Sequence, residues 1–169
     1  MKVPLIISNH PDLEGLAKDF NAQFFYYDSI NNQRSEIERQ VLNKLKIFDI
    51  KFAILAKYMQ ILSESFLTEF SEIINIHHSF LPSFKGASPY KQAYKRGVKL
   101  IGATAHFVTS DLDEGPIIEQ DVARVTHVTS SSDMVAAGRD VERIVLFRAV
   151  KYFIERRVLL NKNKTIVFN

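Results

Sequence analysis

"KFAILAKYMQILSESFLTEFSEIINI" occupies residues 51–76. Its first six residues are an apolar run of the kind that forms a strand buried on both faces. Residues 63–70 open on a serine suited to cap a helix. Residues 72–76 are a second apolar strand. A strand, a helix and a strand in so short a span predict two parallel strands joined by a right-handed crossover. The alternation continues toward the N-terminus. Residues 3–8 and 23–27 read as strands. Leu13, Leu16, Ala17 and Phe20 have helical spacing within 11–20, and Ile37, Val41, Leu45 and Phe48 share one face of a helix over 34–48. Toward the C-terminus, residues 88–97 read as a helix closed by Gly97. Residues 99–109 and 115–125 read as strands joined by "SDLDE". Residues 130–157 read as one long helix with Val141, Ile144, Val145 and Phe153 on its inner face, and residues 164–168 as a last strand. The fold predicted is α/β: an open, mostly parallel twisted sheet with helices on both faces, in a single domain over 1–169.

Composition narrows the function. Apolar residues make up 46% and charged residues 24% of the 169, an ordinary balance for a globular chain. No apolar run approaches the roughly 18 residues that span a bilayer, so no membrane partner is expected. "MKVPLIISNHPD" is too short in its apolar part for a signal peptide and reads as the first strand. There is no cysteine, which excludes disulfides, thiolate metal sites and a thiol nucleophile, and fits a cytoplasmic protein. The net charge of +3 is mild. "YKQAYKRGVK" (90–99) is the nearest approach to a basic stripe, and a solvated helix face explains it better than nucleic-acid binding. No glycine-rich phosphate loop follows any strand.

Chemistry concentrates in "INIHHSFLP" (74–82) and "DLDEGPI" (111–117). Strand residues two apart face one side, roughly 7 Å apart. Asn75 and His77 therefore share a face, while Ile74 and Ile76 take the other. His78 also points away from that face and packs or bonds locally. At the carboxyl end of a parallel strand, polar side chains meet the crevice where ligands bind. An asparagine amide can hold an oxyanion, and a neutral imidazole, with its ordinary pKa of about 6.5, can move a proton. A carboxylate from "DLDEGPI" could orient that imidazole or hold a water. The residues alone leave the alternatives open: a satisfied core histidine, a strand-end asparagine bonded to backbone, an ordinary acidic turn.

"INIHHSFLPSFKGASPYKQAYKRGVKLIGATAHFV" followed by "LDEGPIIEQDV" resembles the catalytic domain of the formyltetrahydrofolate deformylases, in the folate-dependent formyltransferase superfamily. The likeness also covers "PLIISNHPDL", "LAKYMQILS" and the C-terminal "NKTIVF", essentially the whole chain. It implies a formyltransferase-type, Rossmann-like fold and hydrolysis of 10-formyltetrahydrofolate to tetrahydrofolate and formate, supplying formate to purine synthesis and one-carbon balance. The family's Asn–His–Asp set falls on Asn75, His77 and Asp113, the aspartate directly after Leu112. The resemblance places Met59, Ile61 and Leu62 in the folate pocket, with Val108, Thr109 and Leu112 in a loop over the pteridine and His106 nearby. It implies no metal and no prosthetic group; 10-formyltetrahydrofolate is the substrate. The transferase branch reads more like "NIHPSLLP", so formyl transfer to an amine such as glycinamide ribonucleotide is the alternative. The likeness begins after the family's first strand and helix and after its ACT-type regulatory domain. The expectation is therefore an N-terminally incomplete domain with a strand at 3–8 short of one neighbour. An inactive or complementing fragment is a further reading, and either a homo-oligomer or an N-terminal fragment is the partner to look for.

Overall fold

The computed structural model describes residues 2–28, 32–81 and 89–168. "PSFKGAS", the loop expected after "INIHHSFL", lies outside them. The chain forms two compact units, Met1–Lys51 with Leu62–Phe70, and Phe52–Ile61 with Ser71–Asn169.

The first unit holds β1 (Leu5–Ser8), α1 (Glu14–Asp19), β2 (Gln23–Tyr26), α2 (Arg34–Ile47) and α3 (Glu64–Glu69). β1 and β2 pair in parallel, Leu5 against Gln23 through Ser8 against Tyr26. Among the described residues β1 has that one neighbour, and it is half-buried rather than buried on both faces. Phe25 of β2 meets Phe48 edge to face at 5.8 Å, with the Lys44 ammonium 4.1 Å over its ring. The expected N-cap of α3 is present: Ser63 Oγ accepts from the Phe66 amide at 3.1 Å.

The second unit holds β3 (Ala53–Ala56), β4 (Ile73–His77), α4 (Pro89–Arg96), β5 (Leu100–Phe107), β6 (Ile117–Arg124), α5 (Ser131–Ile154), β7 (Val158–Asn161) and β8 (Lys164–Val167). Its main sheet runs β3-β4-β5-β6. β3 and β4 are parallel, as the opening stretch predicts. β5 and β6 run antiparallel to their neighbours, so the α/β class holds while the expected mostly parallel sheet is a mixed one. The reason is local. The connection from β5 to β6, residues 108–116, is too short for a crossover, so that pair closes antiparallel.

The core sits on one face of this sheet. Ile74 and Ile76 of β4, Ala103, Ala105 and Phe107 of β5 and Ile118 of β6 pack against Val141, Val145, Ala149 and Val150 of α5. Burying each branched aliphatic contributes about 1.5–3 kcal/mol. α5 opens on a capping box in which Ser130 and Asp133 exchange side chain-to-backbone bonds. Ile144, expected inside, is 42% exposed. Within this unit, and among the described residues, β3 ends the strand order, and Ile54 is partly exposed there. The C-terminus holds an element the periodicity misses. α5 ends at Ile154, and β7 pairs antiparallel with β8 through a two-residue turn in which Lys162 takes φ 57°.

Candidate active site

Because Ile74 and Ile76 turn toward α5, alternation sends Asn75 and His77 to the other face of the sheet. On β5, His106 lies opposite Asn75 and Thr104 opposite His77. Directly opposed strand residues project to the same side. Four polar side chains thus meet on one small area.

Hydrogen bonds fix their orientation. His106, buried, holds its Nδ1 2.8 Å from the Phe107 carbonyl oxygen, so Nδ1 carries the proton and donates. Its Nε2 is then the acceptor for the Asn75 Nδ2 amide at 3.2 Å. That bond sets which way the Asn75 amide faces. Among the described residues, the buried Asn75 Oδ1 has no partner. His77 Nδ1 lies 3.3 Å from Asp113 Oδ1, and the same oxygen is 3.7 Å from His106 Nε2. With Nδ1–H donating to the carboxylate, His77 Nε2 keeps its lone pair; it is also buried and has no partner among the described residues. Burial pushes the His77 pKa below its ordinary 6.5. The Asp113 carboxylate opposes this, and His78 and His106 add to it.

Two backbone features bring Asp113 in. Its φ of 58° is left-handed, a region that aspartate tolerates better than most residues. Two residues on, a Cβ at Gly115 would stand 1.7 Å from the Phe107 carbonyl oxygen and 3.2 Å from His106 Nδ1. Only glycine lets the turn lie this close to the end of β5. The Phe107 amide donates to the Pro116 carbonyl at 2.9 Å, which closes it.

Thr104 secures the exit from β4. Fully buried, its hydroxyl donates to the Ser79 carbonyl at 2.9 Å and accepts from the Leu81 amide at 3.1 Å and Gln120 Nε2 at 2.8 Å. Sequence reasoning missed this clamp, as it missed the need for glycine at 115. His78 is a correction. β4 ends at His77, so alternation stops there, and the His78 ring stacks on His77 at 4.6 Å and 24° instead of turning away.

The structure brings Asn75, His77, Asp113 and His106 together. Val108 begins the next loop, its amide tied to the Ile73 carbonyl at 2.9 Å, and Thr109 Oγ1 donates to the Asp111 carbonyl at 3.2 Å. Leu112 is exposed beside Asp113, and Met59 and Ile61 are exposed in the same unit. Leu62 counts with the first unit and is buried. Among the described residues, no group of three or more His, Cys, Asp or Glu side chains is placed to hold a metal ion, and no helix is long and apolar enough to cross a membrane.

A mixed α/β sheet with an Asn–His–Asp cluster at the end of an interior strand defines the class, and the chain belongs to the formyl transferase family, which it matches over residues 1–150. Within that family it is 51% identical over 167 residues to a formyltetrahydrofolate deformylase of Synechocystis, covering 99% of this chain and 59% of that protein. The crystal structure of a formyltetrahydrofolate deformylase from Pseudomonas syringae superposes with a TM-score of 0.92 at 46% identity, over 99% of this chain and 56% of that one. A glycinamide ribonucleotide transformylase from Symbiobacterium toebii superposes at 0.86 with 30% identity, over 98% of this chain and 80% of that one. The chain thus spans a little over half the length of the deformylases it matches.

Proposed function

We propose that this chain hydrolyses 10-formyltetrahydrofolate to tetrahydrofolate and formate. The observation that carries the reading is a pair of buried atoms on one face, His77 Nε2 and Asn75 Oδ1, that have no partner among the described residues, beside a carboxylate that fixes the His77 ring. Buried polar atoms without partners are rare, and here they sit where a substrate and a water would complete them. His77, neutral near pH 7 because burial holds its pKa down, takes a proton from water through Nε2. The hydroxide adds to the formyl carbon. The remaining Asn75 amide N–H and the new imidazolium, paired with Asp113, stabilise the oxyanion. The tetrahedral adduct then collapses. The C–N bond breaks, His77 returns its proton to the folate nitrogen, and the formic acid released gives its proton to solvent as formate. Met59, Ile61, Val108, Thr109 and Leu112 are the residues proposed to face the folate.

The test is formate release from 10-formyltetrahydrofolate by the purified chain. Asn75→Ala, His77→Ala and Asp113→Ala are each expected to lose about 100-fold or more. Near-wild-type turnover in Asp113→Ala would overturn the assignment. The likeness to the Symbiobacterium transformylase keeps formyl transfer as the second reading. A formylated product that depends on added glycinamide ribonucleotide would favour it.

A further inference from the structure

Gly138 stands in the middle of α5, where glycine is a poor helix former. Its reason is on α4. A Cβ at Gly138 would lie 2.2 Å from Tyr90 Cζ, 2.3 Å from Cε1 and 2.6 Å from the phenol oxygen. The Tyr90 ring therefore rests directly on the α5 backbone. One turn further along the same helix face, Glu142 Oε1 accepts from the Tyr90 hydroxyl at 2.5 Å. Burial, and then the bond to Glu142, push the phenol's pKa up, so it stays a neutral donor. Seat and bond together leave the ring one position.

The same ring meets His78 edge to face, with centroids 6.5 Å apart at 65°. His78 in turn lies nearly parallel to His77 at 4.6 Å. The buried His78 Nε2 makes no hydrogen bond among the described residues. What the ring supplies to His77 and Tyr90 is its stacked face and its edge. The contacts run without a break from α5 through Tyr90 and His78 to the His77 imidazole.

We propose that Tyr90, seated on Gly138 and tied to Glu142, backs the His78 ring, and that His78 braces the His77 imidazole with Nδ1 on Asp113 and Nε2 turned into the site. Tyr90 and His78 are then positioning residues, and this rests on the hydrolytic reading above. His77 cannot swivel without displacing His78, and His78 cannot yield without displacing Tyr90. The titratable groups facing His77 are Asp113, His106 and His78, and the one bonded to Tyr90 is Glu142.

The test pairs kinetics with ring-nitrogen NMR of His77 in the intact chain, using variants that keep their circular dichroism spectrum. His78→Ala is expected to lower kcat about tenfold to a hundredfold, with KM changed less than twofold. Its His77 titration should move up toward 6.5, because a like-charged neighbour and part of the burial are gone. His78→Phe keeps the flat face and should restore kcat to within about threefold of the wild type. Gly138→Ala must displace the Tyr90 ring and should resemble His78→Ala. Tyr90→Phe keeps the ring and should fall between. Wild-type kcat and titration in His78→Ala would overturn the proposal, and so would a His78→Phe as impaired as the alanine variant. If the wild-type chain releases no formate, the hydrolytic reading fails, and the His77 titrations still decide the bracing.

Discussion

Two buried polar clusters in this chain are made of similar atoms and end in opposite conditions. In the first unit, Glu38 of α2 accepts from Arg34 Nε at 3.0 Å, from the Ser63 amide at 3.1 Å and from the Ser63 hydroxyl, while Ser63 also caps α3. That cluster is closed. In the second unit, the Asn75–His77–His78 cluster leaves Asn75 Oδ1, His77 Nε2 and His78 Nε2 buried with no partner among the described residues. A satisfied cluster contributes stability, and an unsatisfied one carries the penalty of stranded groups of about 1–3 kcal/mol each. The lesson is where the fold accepts that penalty. It does so at the end of β4, beside a left-handed aspartate, and strain and stranded groups cluster at working sites.

The comparison is most exposed at His77. His77→Phe keeps a ring to stack on His78 and removes the stranded nitrogen. Formate release is expected to fall about 100- to 10,000-fold, the range for losing a proton-transfer group. The midpoint of urea unfolding is expected to hold or rise. Loss of stability together with activity would mean that this cluster is as structural as the one at Glu38. Gly115→Ala comes next. A methyl group 1.7 Å from a carbonyl oxygen cannot be accommodated without moving the 113–116 turn. Destabilisation of about 3 kcal/mol is expected, at the upper end for overpacking, with loss of the Asp113 contact and of turnover. Unfolding curves and formate assays on the same preparation check both.

The legibility of the two clusters differs for the same physical reason. Period-two alternation places Asn75 and His77 on one face because β4 is regular through His77. It fails at His78, where the strand has ended. Asp113 was reachable only through family likeness, since a local pattern cannot say which of three acids in "DLDE" turns inward. The His106–Asn75 bond depends on antiparallel register across β4 and β5, with a bulge at Ala105/His106 against β6. None of this has a signature in a single segment. The strand–helix alternation gave the α/β class, whereas strand direction in the second half depended on a turn. β7 was hidden because it follows α5 after only three residues, with its helix-like leucines. At Glu38 the helical pattern is clear, but its partner Ser63 lies 25 residues away and reads in sequence only as a cap.

Ser63→Ala tests the closed cluster. It removes the cap of α3 and one of Glu38's donors, so a loss of about 1–2 kcal/mol is expected, read from chemical unfolding. Turnover at a temperature where the variant is folded should be unchanged. A variant that unfolds at the wild-type denaturant concentration would show that the Glu38 cluster contributes little.

The smallest effect separates the two clusters by pH. Burial leads the depression of His77 below 6.5. As pH falls through 6.5, the unfolded chain binds that proton before the folded one, so stability declines from there downward. Burial alone would raise the Glu38 carboxyl, but its bonds from Ser63 and Arg34 outweigh that and hold it below 4.5. Its contribution is complete above 4.5 and is lost as pH falls further, by the same sign rule. Unfolding free energy measured from pH 8 to pH 3.5 should therefore decline in two stages. His77→Phe should flatten the first stage and leave the second. Ser63→Ala, which removes the hydroxyl bond that depresses Glu38 and keeps the amide one, should weaken the second and leave the first. If one substitution removed both stages, the two clusters would be energetically one, and the division between a structural knot and a working site would not hold.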